Sequence, residues 1–154
     1  MIRLLVVEDS SAYRDLVQRA FRDLGGQTHW DVTTAKDGKE ALELLFAEES
    51  DQDPLPDLVL LDWNLPKVSG NEVLMRLKEH QRLRQIPVLI FSSSDADADI
   101  HAAYENRADG YIQKPGSLDG LNTIVETIEY FWITVAQIPK LARPACVGPQ
   151  RAQP

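Results

Sequence analysis

Four places in the chain carry side chains that could do chemistry together. Glu8-Asp9 ends the apolar run IRLLVV, and Asp62 ends a second run, LVLL, ahead of WNLP. The hydroxyls Ser92-Ser93-Ser94 close a third run, and Lys114-Pro115 closes a fourth. An ionised carboxylate at the end of a buried apolar run is costly unless something pairs with it. If the runs are neighbouring strands, Glu8, Asp9 and Asp62 share one rim and repel. Two unit charges about 5 Å apart interact by roughly 3 kcal/mol at an effective dielectric of about 20. Such a cluster needs compensation, for which the candidates are Lys114 and a hard divalent cation. Oxygen-only donors with a shell completed by water suit Mg²⁺. The backbone carbonyl of Asn64, two residues past Asp62, offers one more oxygen.

Each group alone has a plainer reading. Asp62 could be a turn former. Glu8-Asp9 before Ser-Ser could simply open a helix, because acids suit a helix N-terminus. Ser93 reads best as an ordinary loop residue, and a lone Lys114 as a solvated lysine. The four together, each at the same end of a different strand, argue for a site.

The elements that must position them alternate. Strands rich in Val, Ile and Leu are expected at 2–7, about 29–33, 58–61, 88–91 and 110–113. Between them lie helical patterns. The first covers about 11–24, with Tyr13, Leu16, Val17, Ala20 and Leu24 on one face, Ser10 or Ser11 as cap and Gly25-Gly26 as stop. The second follows Asp37-Gly38. A third, about 70–80, buries Val73, Leu74 and Leu77. A fourth, about 97–107, is weakly apolar through Ile100, Ala103 and Tyr104. A fifth runs from about 118 to 138, where Pro139 stops it. The strand near 29–33 looks like an edge, because Trp30 and Val32 alternate with polar residues. The acidic stretch at 48–57 is long for an α/β connection. Alternating strands and helices imply an α/β fold, a doubly wound, mostly parallel sheet in one domain over 1–138. In such sheets function gathers at the carboxyl ends of the strands, near a switch point in strand order. Residues 139–154 are Pro-rich and expected to be disordered.

The totals agree and exclude some classes. The 154 residues suit one domain with a sizeable core. Sixteen Lys and Arg against 24 Asp and Glu give a net charge of −8, which argues against nucleic acid, whose binding relies on Lys and Arg at phosphates. A single cysteine, Cys146, permits no internal disulfide and fits a reducing cytoplasm. No stretch approaches the roughly 18–20 apolar residues of a membrane span, and the N-terminus lacks a secretory pattern.

VVEDSS, LVLLDWNLPKVSG, IPVLIFSSS and YIQKP, in that order, resemble the four signature stretches of the response-regulator (CheY-like) receiver domain of two-component signalling. The resemblance implies five parallel strands in the order 2-1-3-4-5 with five flanking helices. It implies Asp62 as the acceptor of a phosphoryl group from a histidine kinase. Glu8, Asp9, Asp62 and the Asn64 backbone oxygen become the Mg²⁺ site. Lys114 would contact the phosphoryl group, and Ser92 and Tyr111 would form the switch that reshapes the helix 4, strand 5, helix 5 face. It also implies a cis Lys114–Pro115 bond. Tyr, Phe and Trp at Tyr130 to Trp132, read as exposed, point to a homodimer face on helices 4 and 5; the plainer reading puts these aromatics in the core. The departures are modest: Glu8 stands where Asp is commoner, Ser92 where Thr is commoner, and Gly116 where many relatives are larger. Asn64 and Ser94 match positions that tune phosphoryl lifetime. DLVLLDWNLPKVSGNEVL, the acidic loop before it, and above all IEYFWITVAQIP are similar to stand-alone receivers that partner bacterial phytochrome histidine kinases. The same ending also reads as an amphipathic helix with Trp132 in the core.

Other classes compete. A receiver could serve a different kinase, act as a phosphate sink, pass its phosphoryl group to a histidine phosphotransfer protein, or be a degenerate docking module. A haloacid-dehalogenase-type phosphohydrolase also uses an Asp after an apolar strand with Mg²⁺, but wants an acid where Asn64 stands. A flavodoxin-like electron carrier would need a phosphate loop where Glu8-Asp9 would repel phosphate.

Overall fold

The structure is a computed structural model that describes residues 1–24, 28–47, 55–139 and 141. Five strands, β1 (Ile2–Val7), β2 (Trp30–Ala35), β3 (Leu58–Leu61), β4 (Val88–Ser92) and β5 (Gly110–Gln113), form one parallel sheet in the order β2-β1-β3-β4-β5. Helices α1 (Ser11–Leu24), α2 (Gly38–Leu45), α3 (Gly70–Glu79), α4 (Asp97–Glu105) and α5 (Leu118–Glu129) lie between and after them. Strand order reverses between β1 and β3, which opens a crevice at their carboxyl ends.

Side chains alternate along each strand, so the buried runs feed two cores. Leu5, Val7, Val59, Leu61, Val88 and Ile90 pack with α2, α3 and α4 through Ala41, Leu45, Val73, Leu74, Leu77 and Ala103. Leu4, Val6, Leu58, Leu60, Leu89 and Phe91 face α1 and α5 through Val17, Phe21, Leu121, Val125 and Ile128. Extending the alternation by one residue puts Glu8, Asp62 and Lys114 on the α1/α5 side of the crest. Ser92 and Tyr111 fall on the α4 side.

Local signals place several ends. Ser10 caps α1 by accepting from the Tyr13 amide, and Asp37 and Ser69 cap α2 and α3 in the same way. Helix α4 stops two residues short of expectation. Arg107 takes φ 68, and the Arg107 and Ala108 amides fold back to the Tyr104 and Ala103 carbonyls, a Schellman ending with Arg in the usual glycine place. Strand β2 lies at the sheet edge, as its alternation suggests, and runs on to Ala35.

Helix α5 does not run unbroken to 138. It passes into a π-helix over Tyr130–Val135, closed by the Ala136 amide on the Phe131 carbonyl at 2.6 Å. The wider turn sets both Trp132 and Ile133 against the α1/α5 core, while Tyr130 and Phe131 stay exposed. Trp132 thus packs on the core, while Phe131 meets the Trp132 ring edge-to-face at 5.2 Å and Tyr130 faces outward. The Gly25-Gly26 stop, most of the 48–57 loop, and residues 140 and 142–154 lie outside the described residues. Leu141 is half-buried against the α2/α3/α4 core.

Gly70 holds the β3–α3 connection close to the site. Its amide donates to the Trp63 carbonyl at 3.0 Å, and a Cβ there would lie 2.1 Å from the Asp62 carbonyl oxygen. Backbone must move to admit it. Gly70→Ala is expected to destabilise the fold by about 1–3 kcal/mol in urea unfolding. Gly116→Ala, where a Cβ meets nothing within 4 Å, should change stability by less than about 0.5 kcal/mol.

Candidate functional site

The ends of β1, β3 and β5 meet in one cavity of about 440 Å³, lined by Glu8, Asp9, Ser10, Tyr13, Asp62, Asn64, Ser93, Lys114 and Pro115. Register explains the meeting. Val7 pairs with Leu61, so the next residues, Glu8 and Asp62, emerge side by side, and the Asp62 amide donates to the Val7 carbonyl at 3.0 Å. Glu8 and Asp62 are buried and Asp9 is exposed. One carboxylate oxygen from each of the three lies within 4.8 Å of the others.

Lys114 compensates the buried pair. Its Nζ donates to Glu8 Oε2 and, at 3.0 Å, to Asp62 Oδ2. Asp62 Oδ1 accepts from the Asn64 amide at 3.2 Å, and Glu8 Oε1 from the Ser10 amide at 3.1 Å. Arg14 reaches over from α1 to the Glu8 and Asp9 carbonyls at 2.7 and 3.0 Å, pinning the acidic turn from behind.

Burial pushes the Glu8 carboxyl above the usual glutamate value, against the pull of Lys114. Burial also disfavours the Lys114 ammonium, but its hydrogen bonds to Glu8 and Asp62 outweigh that and hold it above the usual lysine value. The two upward shifts act oppositely at neutral pH. Charged Glu8 costs stability there, and that cost is relieved as pH falls toward the ordinary glutamate range. Lys114 contributes stability throughout, and loses it only as pH rises through its raised value.

The expected residues therefore divide into two groups. Glu8, Asp9, Asp62, Asn64 and Lys114 share the cavity. Ser92 is fully buried just behind it, its Oγ accepting from the Ser94 amide at 3.2 Å. Tyr111 stands apart on the α4 side, its hydroxyl donating to the Ser94 carbonyl at 2.8 Å. The expected cis Lys114–Pro115 bond is not found: among the described residues every peptide bond is trans. The trans form is intrinsically favoured by about 0.5–1 kcal/mol before any proline, and Lys114 reaches both carboxylates with it.

Three cavity residues were not read as such. Ser93 is an exposed loop residue, as expected, and also lines the cavity. Ser10 was read only as a helix cap. Tyr13 was read only as part of an apolar helix face. Its ring packs on Phe91 at 5.9 Å and lies under Lys114 Nζ, 4.9 Å from the ring centroid. Its place one turn into α1, four residues after Asp9, was the available signal.

The donors fit a hard divalent cation: three carboxylates at close range, no nitrogen or sulfur ligand, and an exposed Asp9 open to hydrated ions. Lys114 occupies the position of competing cation. Lys114→Met should lower stability in EDTA by about 1–3 kcal/mol, because Glu8 and Asp62 lose their donor. Mg²⁺ should restore much of the loss and bind the variant several-fold more tightly than the parent. Equal Mg²⁺ affinity, measured by calorimetric titration, would contradict the competition.

Residues 4–126 match the family model described as the response regulator receiver domain. The probable methanogenesis regulatory protein FilR2 of Methanothrix harundinacea is 42% identical over 132 residues, covering 84% of this chain and 83% of its own. Response regulator Rcp1 of Synechocystis is 35% identical over 137 residues, 88% of this chain and 92% of its own. A structure of its Mn²⁺-bound form superposes with a TM-score of 0.79 at 32% identity, over 90% of this chain and 99% of that one. The phosphorylated cyanobacterial phytochrome response regulator RcpA superposes with a TM-score of 0.84 at 37% identity, over 90% of this chain and 99% of that one. The strand order, the acidic cavity at the carboxyl crest and these matches agree: the chain belongs to the response regulator receiver domain family.

Proposed function

We propose that the chain is a phosphoacceptor switch, taking a phosphoryl group on Asp62 from the phosphohistidine of a sensor kinase, with Mg²⁺ in the acidic cavity. The observation that carries this is the meeting of Glu8, Asp9 and Asp62 within 4.8 Å, with Lys114 tied to Asp62. An Asp62 carboxylate oxygen attacks phosphorus, the P–N bond breaks, and the imidazole leaves with the electron pair. The product is an acyl phosphate. Phosphoryl transfer needs mainly positioning and charge stabilisation, which the rigid β3 end and Lys114 supply. Glu8, Asp9, Asp62 and the Asn64 backbone oxygen are the residues to hold Mg²⁺, which when bound neutralises charge and aligns phosphoryl oxygens. The Mn²⁺-bound form of Rcp1 supports that reading.

The acyl phosphate adds charge and strong acceptor oxygens. On this reading the Ser92 hydroxyl turns toward them, the Tyr111 ring responds, and the α4–β5–α5 face changes. Receivers of this kind are switches rather than turnover enzymes. Exposed Tyr104, Tyr130 and Phe131 on α4 and the π-turn favour a homodimer there. Among the described residues no helix is long and apolar enough to cross a membrane, and the −8 charge disfavours nucleic acid. A cytoplasmic kinase-facing role is the reading we adopt.

The likeness to RcpA and Rcp1, and to the bacteriophytochrome response regulator AtBRR, favours a phytochrome-type kinase as donor. FilR2, 42% identical and named for methanogenesis, favours a second reading in which the donor is unrelated to light.

Acetyl phosphate with Mg²⁺ should label the protein, and both EDTA and Asp62→Asn should abolish labelling; label surviving both would sink the assignment. The donor is settled by early-time transfer from a panel of phosphorylated kinases, in darkness and under red light. Fast transfer from a phytochrome kinase alone is the expected result, and equal transfer from all would remove the light assignment.

A further inference from the structure

The Lys114 ammonium carries three protons. Two go to Glu8 and Asp62. Its next neighbour is not an oxygen: Nζ stands over the Tyr13 ring, 4.9 Å from the centroid. That is inside the roughly 6 Å over which a ring face attracts a cation, and the attraction grows as the pair loses water. The Lys114 side chain is only 12% exposed and Tyr13 is half-buried. The ring is itself held. It stands in the first turn of α1 and packs on Phe91 of β4 at 5.9 Å. Burial raises the Tyr13 phenol above its ordinary value, so at neutral pH Lys114 meets a neutral ring and not a phenolate. Among the described residues the Tyr13 hydroxyl is buried without a hydrogen-bond partner. A polar bond therefore does not explain an aromatic at this position, whereas the contact of its face with Lys114 does.

We propose that Tyr13 is a positioning residue whose ring face keeps the Lys114 ammonium in the cavity while Glu8 and Asp62 exchange partners. The proposal rests on the phosphoryl-acceptor reading above. The carboxylates that hold Lys114 are the ones assigned to Mg²⁺, so each oxygen committed to the metal is withdrawn from the ammonium. Lysine's flexible stem then lets the charge swing into solvent, and ordering it again at the phosphoryl group costs side-chain entropy. A ring face is no ligand for a hard cation, which takes oxygen. The contact with Tyr13 therefore survives the exchange of carboxylate partners. Lys114 stays beside Asp62, already in place where phosphoryl charge develops.

The test follows two quantities in the full chain: the order of the Lys114 ε-methylene by ¹³C relaxation, and the initial rate of labelling by acetyl phosphate in saturating Mg²⁺. In the parent the methylene should stay ordered in EDTA and in Mg²⁺ alike. In Tyr13→Leu it should stay ordered in EDTA, where the carboxylates hold the ammonium, and become mobile in Mg²⁺. The labelling rate of Tyr13→Leu should fall by roughly three- to tenfold, the span a partly buried cation–π contact supplies. Tyr13→Phe keeps the ring and loses no hydrogen bond, so its rate should stay within about twofold of the parent. Pentafluorophenylalanine at position 13 keeps the ring and its packing on Phe91 but removes the negative face, and should behave as Tyr13→Leu does. If Tyr13→Leu fails to fold, the fluorinated variant carries the same test. Unchanged rates in Tyr13→Leu and the fluorinated variant would overturn the positioning role alone. So would an equal loss in Tyr13→Phe, which would point to the hydroxyl, or mobility of Lys114 already present in EDTA, which would point to packing. Failure of the parent to take label would overturn the acceptor reading and the role of Tyr13 with it.

Discussion

Three carboxylates share one cavity with a single ammonium, and two of the carboxylates are buried. That imbalance is the constraint on which the rest depends. Without Lys114 the ends of β1 and β3 would carry uncompensated charge at the crest of the sheet. With it the pair is held, while burial still raises the Glu8 carboxyl against the pull of Lys114. The site is therefore poised to gain from added positive charge, and the exposed Asp9 gives that charge a way in. A buried ion pair is weak evidence for stability. The proposed function accounts for it better: a site kept short of cations would take up a divalent ion and then an anionic group.

In the proposed function, the alternation of side chains would convert this local imbalance into a signal. Glu8, Asp62 and Lys114 belong to the α1/α5 side of the crest, and Ser92 and Tyr111 to the α4 side. Chemistry and response are thus separated by the thickness of one strand. Ser92, buried at the end of β4, sits where the two sides meet. Helix α4 itself is lightly packed: one buried apolar residue, a helix ending strained by a left-handed Arg107, and polar bonds at its first turn. A rigidly held carboxylate beside a lightly held helix suits the two-state device of the proposed function.

Much of this could be read from the chain, and the exceptions have physical reasons. β1, α1, β3 and β5 have the expected bounds because apolar runs, caps and chain-breaking residues punctuate them locally. The acidic cluster was legible because strand order and period two together fix which ends meet. Tyr13 was missed because an aromatic on a helical apolar face looks like core until Lys114, over 100 residues away, arrives above it. The bond of Trp63 to Asp99 leaves no trace in spacing, since it joins segments 36 residues apart. The π-turn at Tyr130–Val135 answers to the packing of Trp132 and Ile133, and periodicity alone extended α5 through it. The cis Lys114–Pro115 bond was an inheritance from the resemblance, and nothing in the local sequence required it.

The central claim is that Asp62, and neither of the acids beside it, carries the phosphoryl group. Its most direct test is to phosphorylate the full chain with acetyl phosphate and Mg²⁺, reduce the acyl phosphate with borohydride, and map the reduced residue by peptide mass spectrometry. Reduction confined to position 62 is the expected result. Reduction at Glu8 or Asp9, or none under conditions where phosphate is incorporated, would contradict it.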